Sequence, residues 1–181
     1  GAFPSLNGSY VRQWFETGTS ISNHWIQLTN SSTLVPFYGY ELCQTNAKTF
    51  TFKGTLENGN FSSGTLAVTY GKQGVPNALF PGQHIFANPY TAAIDIRQLS
   101  FGEATLKTVY IYNTGTFEAW TNGGQTPASG NNLTPGQYTS VPYNLAGTGS
   151  LPRQIPSMQA ILVKTLSSTS ESALATFGIN Y

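Results

Sequence analysis

Hydrophobic and polar positions alternate along this chain in short segments that turn-forming clusters separate. The alternation is clearest at residues 48–54, where a strand would place Phe50 and Phe52 on one side and Thr49, Thr51 and Lys53 on the other. Comparable β-prone segments recur along the chain, which predicts about nine to eleven strands. The clearest segments are residues 11–15, 25–28, 39–43, 48–54, 65–70, 83–87, 107–112, 116–120, 159–166 and 172–181.

Two turn signals predict hairpins. The Asn58-Gly59 pair, the strongest short hairpin signal, separates the segments at 48–54 and 65–70. Residues 113–115 (Asn-Thr-Gly) separate the segments at 107–112 and 116–120. Residues 92–99 hold the one plausible helical turn, and that segment is too short for a stable helix.

The spacing of strands and turns favours an all-β fold, an antiparallel two-sheet sandwich of jelly-roll type. Residues 159–166 are almost continuously apolar, as expected of a strand buried on both faces. No internal repeat or linker divides the chain, so residues 1–181 are predicted to be a single domain. Because the sequence begins and ends abruptly, we expect it to be part of a longer exported protein.

The composition narrows the functional classes. Charged residues make up 8% of the chain and the net charge is +1, so electrostatic binding to nucleic acid or to anionic lipid is not expected. No apolar run reaches the length of a membrane span. Cys43 is the sole cysteine and Asp95 the sole aspartate, which excludes a cysteine-based zinc site and disfavours a calcium site. Thr, Ser, Asn and Gln together supply 64 of the 181 residues, as expected of a secreted β-protein.

Three motifs occur in a recognisable order. They are Ala-Asn-Pro-Tyr-Thr-Ala-Ala-Ile-Asp at 87–95, Val-Tyr-Ile-Tyr-Asn-Thr-Gly-Thr-Phe-Glu-Ala-Trp at 109–120, and Gln-Ile-Pro-Ser-Met-Gln-Ala-Ile-Leu-Val-Lys at 154–164. Over about residues 25–181 the chain resembles a β-sandwich module of large exported Bacteroidetes proteins, which often precedes a sorting domain of the type IX secretion pathway. It departs from that pattern at Ala87 (usually Gly), at Thr91 (usually Pro) and at 160–161 (usually Gly-Phe). The resemblance implies a non-catalytic module on the outer cell surface or secreted, with neighbouring domains in the same polypeptide and no particular ligand.

The motif residues also have structural interpretations of their own. Pro89 disfavours the helical conformation at Asn88 and starts a turn. The Asp95 carboxylate can cap the turn that follows it. We expect the side chains of Met158, Ile161 and Val163 to fill the core.

Catalytic and metal sites find little support in the sequence. His84, Asp95 and a serine could form a triad, but no nucleophile elbow is present. A glycosidase needs two facing carboxyl groups. Of the seven scattered acids, Glu41 and Glu118 lie on predicted strands and could form a pair, and most of the acids are expected to be solvated. We therefore predict no catalytic residues, no bound metal and no cofactor, with a glycoside hydrolase as the least favoured alternative.

The leading hypothesis is an adhesion module that binds a neutral carbohydrate or another cell-surface ligand. Exposed aromatic rings pack against the C–H faces of sugars, and neutral polar groups bond the hydroxyls. The main alternative is a purely architectural spacer that stabilises neighbouring domains. The candidate ligand-binding residues are Trp25, Tyr110, Tyr112, Trp120 and Asn122.

Overall fold

The computed structural model describes residues 9–17, 24–44, 49–68, 80–113, 137–166 and 174–180. In this part of the chain the fold is all-β: every strand pairing is antiparallel and no sheet is closed. Helical structure in the described residues is confined to short segments, including the 3₁₀ turns Ile96–Gln98 and Tyr143–Leu145, and no described helix has the length and apolarity to cross a membrane. The described strands are β1 (Ser9–Trp14), β2 (Trp25–Gln27), β3 (Tyr40–Gln44), β4 (Phe61–Ser62), β5 (Gln83–Ala87), β6 (Ile94–Asp95), β7 (Leu99–Phe101), β8 (Thr105–Asn113), β9 (Gln137–Pro142), β10 (Gln154–Ile155), β11 (Ala160–Thr165) and β12 (Phe177–Ile179).

Four sheets are formed by these strands. The largest has the order β5-β11-β8-β9, and two three-stranded sheets have the orders β2-β1-β3 and β4-β12-β7. The short strands β10 and β6 form a two-stranded sheet. Most pairings join strands that are far apart in sequence, so the arrangement depends on tertiary contacts rather than on local hairpins.

The core contains aromatic rings contributed by different sheets. Phe86 of β5 stacks on Phe177 of β12 with ring centroids 5.1 Å apart, and Phe37 stacks on Phe86 at 4.6 Å. On β11, Ile161 and Val163 are buried while their neighbours along the strand are half-buried. The strand predicted at 159–166 is therefore confirmed, but one of its faces is more deeply buried than the other.

Asn88 joins two of the sequence motifs from a buried position. Its Nδ2 lies within hydrogen-bond distance of the carbonyl oxygens of Ile155 (3.0 Å) and Pro156 (3.1 Å), and also of Ala92 (2.8 Å). Its Oδ1 accepts from the backbone nitrogen of Tyr90 at 2.9 Å. These bonds give the Asn-Pro-Tyr and Ile-Pro motifs a structural role. The predicted cap is confirmed as well, because Asp95 Oδ1 accepts from Arg97 N at 3.0 Å.

Two sequence predictions are wrong in the described residues. Residues 49–60 and 63–68 form no strand, so the hairpin predicted around Asn58-Gly59 is not present. Instead, the chain there is held by tertiary bonds, such as that from Leu66 N to Ala175 O at 2.7 Å. Met158 does not fill the core: its side chain is 64% exposed and its φ is 63°, because it lies in the turn that Gln159 N closes on Pro156 O.

A glycine at the end of β7 makes a close backbone contact that predicts a stability effect. A Cβ at Gly102 would lie 2.0 Å from Leu174 O and 2.8 Å from Thr176 N, while Gly102 N donates to Thr176 O. We expect Gly102→Ala to lower the free energy of unfolding by about 1–3 kcal/mol, because this backbone must move apart. Gly54→Ala, where a Cβ meets nothing within 4 Å, is the matched control for urea denaturation. Equal urea midpoints for the Gly102 and Gly54 variants would contradict the close packing of Gly102 against residues 174–176.

Candidate functional site

Tyr110 and Tyr112 lie on β8, on the face directed away from the core. They alternate with Val109, which is fully buried, and with Ile111, which packs against the core. Tyr112 is opposite Tyr138 of β9, and the two rings are 5.2 Å apart at an interplanar angle of 56°. Both candidate tyrosines are half-buried and Tyr138 is 48% exposed, so this surface presents tilted rings rather than a coplanar platform.

The Tyr138 phenol is uncharged at neutral pH. Partial burial raises the pKa of Tyr138, and the nearby Tyr112 phenol and Glu41 carboxylate raise that pKa further. The ring pair therefore offers aromatic surface and neutral hydroxyl groups.

Trp25 is half-buried on β2, opposite Trp14 of β1. The two indole rings meet edge to face at 5.4 Å, and the Arg12 guanidinium lies 5.3 Å from the Trp25 ring centroid. Arg12 also forms an ion pair with Glu41 of β3. Trp25 is thus fixed within the sheet β2-β1-β3, whereas Tyr110 and Tyr112 belong to the sheet β5-β11-β8-β9.

Trp120 and Asn122 lie outside the described residues, as does the predicted strand at 116–120. Among the described strands, β8 pairs with β9 on one side and with β11 on the other.

A groove that the sequence did not indicate lies beside Trp14. Its volume is about 480 Å³, and aromatic, aliphatic and neutral polar side chains line most of it, together with Glu16 and His84. Tyr38 and Phe15 are its exposed rings, at 41% and 38% exposure. Among the described residues, the groove is lined by Gln13, Trp14, Phe15, Glu16, Thr17, Val35, Tyr38, Ser63, Thr65, Leu66, Ala67, His84, Ile85 and Phe86.

Two ionisable side chains belong to this groove, and both are held by the backbone. Glu16 is 3% exposed and its Oε1 accepts from Gly82 N at 2.7 Å, so this acid is an exception to the expectation that most of the acids are solvated. His84 Nε2 donates to Ala67 O at 2.8 Å. Burial lowers the pKa of His84, although that hydrogen bond and the Glu16 carboxylate oppose the shift, so His84 is neutral at pH 7.

The edge of β5 beside the groove is already bonded. Gln83 O accepts from Trp14 Nε1 at 2.7 Å, and Ile85 O accepts from Gly39 N at 3.0 Å. Ala87 N donates to Phe37 O at 2.7 Å. A ligand here would therefore meet side chains rather than a free strand edge, which disfavours the addition of a peptide strand.

The catalytic candidates from the sequence are not brought together. Asp95 is bonded to Arg97 N and to the Arg153 side chain, while His84 bonds Ala67 O. Glu41 pairs with Arg12, and Glu118 lies outside the described residues. Within the described ranges, no cluster of three or more His, Cys, Asp or Glu side chains could hold a metal ion.

The lowered pKa of His84 predicts a pH dependence of stability. The folded protein disfavours the protonated imidazole, so the unfolded chain binds more protons under mildly acidic conditions. The contribution of neutral His84 to the free energy of unfolding is therefore complete above 6.5, the ordinary pKa of histidine. It is lost as the pH falls through the lower pKa that His84 has in the folded protein.

In His84→Gln, which keeps an N–H donor, we expect the melting temperature to depend less on pH just below 6.5 than it does in the unmodified protein. Asp95, whose pKa is lowered mainly by the Arg97 amide, contributes only at more acidic pH, around and below 3.8. An unchanged slope in the variant would show that another group controls the melting temperature in this range.

Comparisons with known proteins yield one informative similarity. The chain is 44% identical over 86 residues to the minor fimbrium subunit Mfa5 of Porphyromonas gingivalis, a member of the Bacteroidetes. The match covers 47% of this chain but only 7% of that protein's length. No family model matches the chain, and no solved structure matches it. The relative confirms the location predicted from the sequence, the extracellular surface of a bacterial cell.

Proposed function

We propose that the chain is a non-catalytic, adhesion-related module of a bacterial cell-surface protein and that it binds neutral carbohydrate. The observation that carries the proposal is the 44% identity to a fimbrium subunit. A fimbrium is built from many polypeptides, so we also propose that this module assembles with other subunits and with neighbouring domains of its own chain. A role in a surface assembly requires binding surfaces rather than catalytic groups.

The fold supports a finer assignment, an antiparallel two-sheet sandwich of jelly-roll type. Phe177 comes from the sheet β4-β12-β7, and it contacts Phe86 from the sheet β5-β11-β8-β9. Core rings shared between two sheets are typical of sandwiches. We also propose, on the resemblance in sequence, that this sandwich is a module of the kind that precedes a type IX sorting domain.

Carbohydrate binding is supported by the chemistry of two surfaces. The groove beside Trp14 combines the exposed rings of Tyr38 and Phe15 with neutral hydroxyl and amide groups. The outward face of β8 and β9 presents Tyr112 and Tyr138. Aromatic area with a few neutral polar groups suits an uncharged sugar better than an ionic ligand. Trp25 contacts Trp14 of the groove edge to face, so it adjoins the first of these regions.

The architectural spacer remains the second candidate, and one observation favours it. The Asn88 bonds link two of the motifs that resemble those of exported modules, which supports a structural role for them. A glycoside hydrolase is the third, and the partners of three described acids do not favour it: Glu41 pairs with Arg12, Asp95 pairs with Arg153, and Glu16 accepts from Gly82 N.

Retention on immobilised neutral polysaccharides tests carbohydrate binding. Tyr38→Ala removes a groove ring and Tyr112→Ala a ring of the β8 face, and Leu56→Ala, at a 72% exposed position, is the control. Loss of one stacking contact is expected to weaken binding roughly tenfold. Trp25→Ala, Trp120→Ala and Asn122→Ala extend the test to the other sequence candidates.

The pattern of loss identifies the surface. Weaker retention of Tyr38→Ala alone assigns the groove, and weaker retention of Tyr112→Ala alone assigns the β8 face. If the unmodified chain is retained on no neutral polysaccharide, carbohydrate binding is wrong and the spacer role is favoured.

A further inference from the structure

The Asn58-Gly59 pair lies in an exposed segment without regular structure. Residues 49–60 belong to no strand, and both members of the pair are exposed. A Cβ built at Gly59 would meet nothing within 4 Å, and its φ is not in the left-handed region. The pair therefore lacks the hairpin in which Asn-Gly is usually fixed.

We propose that Asn58-Gly59 is a site of spontaneous deamidation, with water as the sole co-reactant. The Gly59 amide nitrogen attacks Cγ of Asn58, a nitrogen–Cγ bond forms, and Nδ2 leaves as ammonia with the proton of the attacking nitrogen. Water then opens the five-membered ring at either carbonyl carbon. One opening leaves an aspartyl residue, and the other leaves an isoaspartyl residue whose main chain runs through the former side chain. This inference is independent of the proposed function.

The absence of a side chain at Gly59 is what favours ring closure at this position. Every other residue type places a Cβ beside the attacking nitrogen and restricts the backbone conformations that bring it to Cγ. Asn58 and Gly59 are also both exposed, so the water that opens the ring can reach it. The reaction needs no catalytic residue, so it is compatible with a non-enzymatic protein.

The isoaspartyl product would disturb a hydrogen bond between this loop and a buried side chain. Gly59 O accepts a hydrogen bond from the Tyr90 hydroxyl at 2.5 Å, and Tyr90 is only 2% exposed. Tyr90 O in turn accepts from Ser157 Oγ at 2.5 Å. An isoaspartyl residue adds one main-chain methylene directly before Gly59, which displaces the carbonyl that bonds Tyr90. The modification thus links an exposed loop to the turn that contains Asn88.

The charge of the protein would change as well. Deamidation replaces a neutral amide by a carboxylate, so the formal net charge of +1 falls to zero at pH 7. Proteins near zero net charge associate more readily. Ageing is therefore expected to yield an acidic form that separates on ion exchange.

Peptide mapping after prolonged incubation at physiological pH and temperature tests the site. The sequence holds three Asn-Gly pairs, at 7–8, 58–59 and 122–123, so the mass gain must be located within the peptide that contains residue 58. We expect a gain of about one mass unit there, with isoaspartate detected by its enzymatic methylation. In Gly59→Ala, whose Cβ is accommodated without contact, we expect roughly tenfold less product because the Cβ hinders ring closure. Unmodified Asn58 in the aged chain, or equal modification of the variant, would overturn the proposal.

The structural consequence has a separate test. We expect the isolated isoaspartyl form to melt about 2–4 °C below the fresh protein, because the bond between Tyr90 and Gly59 is lost. Asn58→Asp adds the charge without the extra methylene and should melt close to the fresh protein. In Tyr90→Phe, which already lacks the hydroxyl, isoaspartate formation should cause a smaller further decrease. An equal decrease in both backgrounds would show that the proposed coupling to Tyr90 is wrong.

Discussion

Replacing Asn88 by alanine is expected to lower the free energy of unfolding by about 3 kcal/mol or more, because buried polar groups lose their partners. The Asn88 side chain is 2% exposed, and its amide bonds carbonyl groups of residues 92, 155 and 156. Removing it leaves these carbonyls and Tyr90 N without that partner. We expect a markedly lower urea midpoint with little change in the slope of the transition.

Asn88→Asp makes the same test more specific. The carboxylate keeps the size of the side chain and the acceptor for Tyr90 N, but it places an acceptor where Nδ2 donates to Ile155 O. We expect it to be at least as destabilising as alanine. Asn180→Ala removes one exposed bond to Gln98 O, and as the control it should change stability by less than about 0.5 kcal/mol. A stable Asn88→Ala variant would contradict the structural role of these motifs.

Replacing Phe177 by alanine is expected to cost about 3–5 kcal/mol, because a large buried ring is removed from the core. Phe177 is 1% exposed, and its ring lies 5.1 Å from that of Phe86 and 5.4 Å from that of Phe101. It therefore connects the sheet that contains β12 with the sheet that contains β5.

Equilibrium urea denaturation measures the Phe177→Ala effect. Leu56→Ala, at a position 72% exposed, is the control and should change stability by less than about 0.5 kcal/mol. Equal effects of the two substitutions would mean that the sheets do not share the core that Phe177 fills.

Local sequence patterns were sufficient to predict two strands of the largest sheet. The strand predicted at residues 83–87 coincides with β5, and the one at 107–112 lies within β8. β5 has three apolar residues in a row at 85–87, and β8 alternates valine or isoleucine with tyrosine over residues 109–112, so a local pattern is sufficient to predict both. The turn predicted at 92–99 contains the 3₁₀ turn Ile96–Gln98, and the capping carboxylate indicated its start.

Tertiary contacts decided the cases where the sequence prediction is wrong. The Asn58-Gly59 signal favours a hairpin locally, but the Tyr90 hydroxyl bonds Gly59 O and the chain beyond it pairs with β12. Met158 is apolar, but it lies in the turn that Gln159 N closes on Pro156 O, and this turn places its side chain in solvent. Local propensity cannot indicate a partner that lies 31 residues away, as Tyr90 does from Gly59.

The candidate site was only partly accessible to sequence reasoning. The alternation in β8 correctly placed Tyr110 and Tyr112 on one face, away from Val109. The groove combines β1 with chain segments near residues 35–38, 63–67 and 84–86, so no single segment contains its signature. Burial of Glu16 depends on its bond to Gly82 N, 66 residues further along, which no local pattern encodes.

Retention of the intact chain on a neutral polysaccharide, measured across a range of salt concentrations, is the most direct test of an uncharged binding surface. Aromatic stacking and neutral hydrogen bonds are insensitive to screening, so we expect the same retention at low and at high ionic strength. Retention that is confined to low salt, or that requires a charged polysaccharide, would contradict recognition through neutral aromatic surfaces.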